Sequence, residues 1–192
     1  MARPKTFDPD EALGRAMDCF WEHGFDETSV QDLVERMGVN RFSLYSTFGD
    51  KRELFVATLD LYREQVVEPR MTKLEKGERG LEDIEEFFYE LIDGLADSSR
   101  CGCLMLIAAV MEIDDEASAR RVREHLERVE NALERVLRRA RDRGELREGV
   151  GLAQAARMLM VMMQGLGVVA HVAPSKRSLR SSIALSIDGL RA

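Results

Sequence analysis

The first fifty residues carry a regular punctuation, and that punctuation limits what the chain can fold into. Capping residues followed three positions later by Glu or Gln mark three helix starts: Asp8 with Glu11, Thr28 with Gln31, and Asp50 with Glu53. Pro9 stands at the favoured first helical position. Gly24, Gly38 and Gly49 follow the last periodic residues and supply the conformational freedom that a helix end asks for. The stretch therefore reads as three short helices, at about 8–23, 28–37 and 40–48. No segment shows sustained period-2 alternation, so the predicted class is all-α with about nine helices. The rest are expected near 51–68, 81–96, 102–113, 116–143, 151–172 and 175–190. Pro69 is expected to stop the fourth, with a polar loop or weak helical extension over 70–80.

Two of the later helices differ in kind. Val122, Leu126, Val129, Leu133, Val136 and Ala140 recur at steps of four and three, a narrow seam backed by Arg and Glu. Over 151–172 the apolar residues run all the way round, as a helix buried on every side requires. From 158 to 175 no side chain is formally charged, close to the minimum length for a membrane span. Gln164, Gly165, Gly167, His171 and Pro174 interrupt it, so the preferred reading is a subunit interface and no membrane. Met160, Met163, Leu166 and Val168 are its candidate residues, with Leu179, Ile183, Ile187 and Leu190 on the stripe of the last helix.

A capped helix, a tight turn at Gly38, Val39 and Asn40, and a second short helix make a helix-turn-helix. Val30, Leu33, Val34 and Met37 form the inner face of its first helix, and Leu44 and Phe48 that of its second. Arg41, Phe42, Ser43, Tyr45, Ser46 and Thr47 are left facing outward, and Asn40 precedes them. Arg offers guanine a bidentate contact, Ser and Thr bond base edges or phosphates, and Phe42 suits a thymine methyl. Thr28 and Ser29 at one helix N-terminus and Lys51 at the next are candidate phosphate contacts, joined by Tyr45. Arg3 and Lys5 lie on an arm able to follow a groove. The competing reading of all these residues is ordinary capping and surface.

Taken together, Phe20, Gly24-Phe25, Thr28-Ser29, Leu33, Gly38-Val39, Leu44-Tyr45, Phe48, Asp50-Lys51 and Leu54-Phe55 resemble the TetR/AcrR family of bacterial transcriptional regulators over about residues 8–60. The resemblance implies a homodimer with a DNA-binding head (1–50) and a ligand-sensing, dimerising remainder (51–192), the last two helices forming a four-helix bundle. It places Arg41, Phe42, Ser43, Ser46 and Thr47 at base-facing positions. It places Thr28, Ser29, Tyr45 and Lys51 at phosphate-facing ones. Phe42 departs from the small residue or proline usual there, and Asn40-Arg41 is not the commonest pair, so operator sequence does not carry over. Arg100-Cys101-Gly102-Cys103-Leu104 and Gln164-Gly165-Leu166 resemble one subgroup's sensor domain more weakly.

The expected function is a ligand-responsive repressor that binds a palindromic operator, its two recognition helices roughly 34–36 Å apart. A small, mostly apolar effector would release it. A sensor cavity among the central helices has Phe87, Phe88, Leu91, Met105, Met111, Met158, Met162 and His171 as candidate lining, against their reading as ordinary core. Cys101 and Cys103 are candidates for a thiol redox or electrophile switch. No four-ligand metal set is in reach, since Cys19, His23, His125 and His171 are all distant in sequence. No cofactor is expected. Phosphate-loop, dinucleotide, metalloprotease and nucleophile-elbow motifs are missing, so an enzyme is not expected. A small-molecule-binding enzyme or a protein–protein module with a vestigial head is the remote alternative. Three cysteines cannot build a disulfide framework, and the N-terminus has no apolar core for a signal peptide, which together point to the cytoplasm. The net charge of −7 argues against nucleic acid only on average. Residues 1–52 carry ten acids against seven basic residues, yet six of the seven fall on the arm, the helix-turn-helix and the start of the next helix. Counterion release depends on local phosphate contacts rather than net charge.

Overall fold

The computed structural model describes residues 7–97, 116–172 and 175–192. Nine α-helices are described: α1 (Pro9–His23), α2 (Val30–Met37), α3 (Arg41–Phe48), α4 (Lys51–Tyr62), α5 (Glu68–Lys76), α6 (Leu81–Asp97), α7 (Glu116–Asp142), α8 (Leu152–Val172) and α9 (Lys176–Asp188). A π-helical segment, Arg63–Val67, joins α4 to α5, so the two run as one rod and the described residues form eight helices in all. The helix expected at 102–113 lies outside the described residues.

Pro69 does not stop the fourth helix. Proline lacks an N–H, and its ring crowds the carbonyl four residues back. The chain meets this with a wider turn just before it: the Glu68 N–H reaches the carbonyl of Arg63, five residues back. Pro69 then occupies the first turn of α5, where no intrahelical donor is needed.

The head closes on aromatic packing. Phe20 of α1 is fully buried and meets Phe55 of α4 edge-on at 5.1 Å between ring centres. Phe25, in the loop after α1, packs on both rings at 5.0 and 6.0 Å. Leu33, Met37, Val39 and Leu44 complete this core from α2, the turn and α3. Because Leu54 and Phe55 belong to the same core, α4 serves as a wall of the head as well as its exit. Further along, Tyr62 of α4 stacks edge-on against Trp21 of α1 at 5.3 Å. Arg121 of α7 grips both carboxylate oxygens of Asp60 at 2.6–2.9 Å, which ties the rod to the C-terminal half.

The seam expected on α7 is internal: Val122, Val129, Leu133, Val136 and Ala140 are buried and Leu126 is half-buried. It packs chiefly against α8. The stripe of α9 has a different destination from the one expected. Leu179, Ile183, Ile187 and Leu190 are buried within the subunit, where α9 lies against α6. On α8, Leu159 and Leu166 are likewise inside, whereas Val161, Val168 and Val169 are 59%, 50% and 47% exposed. The C-terminus is pinned by backbone bonds from Arg147 N–H to the Leu190 carbonyl and from Ala192 N–H to the Glu145 carbonyl.

Phe20→Ala deletes the ring at the centre of the head's core and should cost about 3–5 kcal/mol of unfolding free energy in a urea titration. A loss below about 1 kcal/mol would mean that the aromatic packing does not hold the head together.

Candidate nucleic-acid interface and central cavity

Each helix of the helix-turn-helix is fixed by its own cap. The Ser29 hydroxyl accepts from the Asp32 amide at 3.1 Å, and the Asp32 carboxylate accepts from the Ser29 amide at 2.8 Å. The Ser29 hydrogen bonds hold the Asp32 carboxyl below the usual carboxylate range. The cap thus stands one residue later than the Thr28 and Gln31 pairing read from the sequence. Thr28 is fully buried and donates its hydroxyl to the Gly24 carbonyl at 2.5 Å, so its side chain does not reach the surface. Gln31 instead bonds Glu35 and accepts from Arg41. The turn needs Gly38, whose φ of 69° and ψ of 32° are left-handed, and a side chain there would also crowd the Arg15 guanidinium. Asn40 caps α3 by accepting from the Ser43 amide at 2.8 Å.

Leu44 anchors α3 from below and leaves the opposite face free. Arg41, Phe42, Tyr45 and Ser46 are exposed, Phe42 by 81%, while Ser43 and Thr47 are half-buried. The Arg41 guanidinium rests on the Gln31 side-chain oxygen at 3.3 Å. The Ser46 hydroxyl donates to the Ser43 carbonyl. Lys51, at the N-terminus of α4, is positioned by two contacts: its Nζ lies 4.4 Å above the Phe25 ring and 3.5 Å from the Asp26 carbonyl. Ser29 and Asn40 are exposed at the starts of α2 and α3. Lys5 lies outside the described residues.

A cavity of about 230 Å³ lies in the C-terminal half, against α1 of the head. Phe87 and Leu91 of α6 line it as expected. Phe88 faces the other way into the core and is fully buried, and Met158 lies on the outside of α8. Met162 is not among the lining residues, whereas Met163, expected at the interface, is. Met105, Met111, Cys101 and Cys103 lie outside the described residues, as does the side chain of His171. The sequence reading missed Trp21, Tyr62, Arg70, His125 and Gln164, all of which line the cavity. His125 had one legible signal, its spacing with Val122 and Val129 on the buried face of α7.

Comparison with known proteins places this geometry. Residues 12–58 match the model for bacterial regulatory proteins of the tetR family. Residues 80–185 match the tetracyclin repressor-like C-terminal domain. The fold and its helix-turn-helix define a DNA-binding transcriptional regulator, and the chain belongs to the TetR family. It is 33% identical to the uncharacterized HTH-type transcriptional regulator YezE of Bacillus subtilis, over 99% of this chain and 100% of that one. It is 30% identical to the HTH-type transcriptional repressor ComR of Escherichia coli, over 92% of this chain and 86% of that one. Among solved structures it superposes on the TetR family regulator CifR, bound to 26-base-pair operator DNA, with a TM-score of 0.85, 26% identity and coverage of 97% and 98%. These relatives are transcriptional regulators, not enzymes.

Burial pushes the His125 imidazole down to about 4, opposed only in part by the Glu68 carboxylate. The folded state therefore resists the proton that the unfolded chain accepts near pH 6.5, and stability falls as pH drops from there to about 4. This group alone should remove about 2–3 kcal/mol over that window. His125→Phe should lose that much less between pH 7 and 4 in urea titrations. An unchanged pH slope would contradict the assignment.

Proposed function

We propose that the chain is a cytoplasmic, ligand-responsive repressor that binds a palindromic operator as a homodimer and lets go when a small, mostly apolar effector fills the central cavity. The observation that carries the ligand response is Trp21. It belongs to the first helix of the DNA-binding head, yet it lines the sensor cavity, with Tyr62 of α4 beside it. A ligand in that space touches the head directly. It shifts the balance of head positions by the difference between its affinities for the two states.

The outward face of α3 supports base reading by Arg41, Phe42, Ser43, Ser46 and Thr47. Ser29, Tyr45 and Lys51 suit phosphates, and Asn40 sets the start of the reading helix. The repressor names of relatives such as ComR, and the operator bound to CifR, support the direction of control. A second copy is the natural cover for the exposed valines of α8. The helix is long and apolar enough from Leu152 to Ala170 to cross a membrane, but a DNA-binding head favours a partner subunit over lipid.

Arg41→Ala should cost about 1–3 kcal/mol on operator DNA and much less on random duplex. Lys51→Ala should weaken both alike and lower the slope of log affinity against log salt by about one. Operator affinity untouched by both substitutions in fluorescence anisotropy would refute this docking. Val161→Glu combined with Val168→Glu should turn a dimer into a monomer in analytical ultracentrifugation and weaken operator binding. A variant that sediments as the wild type would move the interface elsewhere.

A further inference from the structure

The cavity holds hydrogen-bonding groups that the described residues leave unmet. His125 of α7 is 2% exposed, and among the described residues neither ring nitrogen has a hydrogen-bond partner. The Gln164 side-chain amide nitrogen of α8 is also buried and unpartnered. Arg70 of α5 lines the same space, with its guanidinium beside Gly94 of α6. The acids of the same helix, Glu68 and Glu75, both bind Arg128. Among the described residues Arg70 has no ion-pair partner.

The chemistry of these groups narrows the occupant. Guanidinium has only donors, the Gln164 nitrogen is a donor, and neutral imidazole offers one donor and one acceptor, so donors predominate. A purely apolar ligand would leave these groups unsatisfied, which is costly when they are buried. A cation would meet the Arg70 charge. The lining also carries three aromatic rings, Trp21, Tyr62 and Phe87. Size adds the third constraint: a cavity of about 150 Å³ takes one benzene ring. The present one, about 230 Å³, is half as large again, which suits a ring carrying a short substituent.

We propose that the cavity binds a monocyclic aromatic carboxylate, with the ring against Trp21, Tyr62 and Phe87 and the carboxylate accepting from Arg70, Gln164 and His125. This rests on the reading of the chain as effector-responsive and names the effector's class. Because burial keeps His125 uncharged at neutral pH, the positive charge facing the carboxylate comes from Arg70.

The chain has a single tryptophan, and that residue is Trp21, so its fluorescence reports occupancy without reference to DNA. Benzoate, benzamide and 2-naphthoate are titrated separately into the full-length protein. Benzoate should change the emission saturably and bind more tightly than either of the others. Arg70→Gln should weaken benzoate by about ten- to a hundredfold while leaving benzamide within about threefold. His125→Phe, which removes a donor without opening a void, should weaken benzoate as well. Benzamide or 2-naphthoate binding as tightly as benzoate, or benzoate affinity unmoved by both substitutions, would overturn the proposal. Operator affinity measured without any probe stands apart from this titration, so its loss would count against the DNA-binding reading and not against the ligand class.

Discussion

The contact between Trp21 and Tyr62 is the one on which the rest of the architecture depends. Below it lies the head, closed by Phe20, Phe25 and Phe55. Above it lies the cavity, walled in part by the same two rings. Packed aromatic side chains are not continuously deformable, so a change on one side of such a contact is passed on as a shift of whole helices. The α4 rod is suited to that task. It is anchored in the head by Leu54 and Phe55, held to α7 by the ion pair of Asp60 with Arg121, and then widened into a π segment beside the cavity. Helical segments of that kind recur where a helix must adjust.

The acidity of the head fits the same picture. The basic groups that face outward are few and positioned. Arg41 rests on Gln31 and Lys51 rests on Phe25. Electrostatic attraction from a head with excess acid is modest away from these points, so affinity should come from the few groups that reach phosphates and bases. A chain built this way has little to hold it on random DNA and much to lose from a small misplacement of α3.

The head was legible in the sequence because its signals are local. Asp50 with Glu53 forms the reciprocal cap that its spacing announces, and Gly38 takes the left-handed conformation that the turn requires. The same rule slipped by one residue at Thr28, because Ser29 with Asp32 makes an equally good box and the Thr28 hydroxyl is drawn inward to Gly24. Local rules also mislead at Pro69, where the π segment absorbs the proline that ordinarily ends a helix. The C-terminal half was less legible because its outcome is tertiary. An apolar stripe says that α9 must be covered but not by what, and α6 of the same subunit does the covering. Nor does the pattern distinguish Phe87, which lines the cavity, from Phe88, which faces the core. The cavity's polar groups come from α5, α7 and α8, and only the fold brings Arg70, His125 and Gln164 together.

In the proposed repressor, cavity and operator are coupled through this junction. The most direct measurement of that coupling is reciprocal: operator affinity with the cavity empty and saturated with benzoate, and benzoate affinity with and without operator. Linkage requires the two ratios to be equal. Both should exceed about fivefold, with operator and benzoate each weakening the other. Operator affinity that stays the same as Trp21 reports a filled cavity would contradict that coupling.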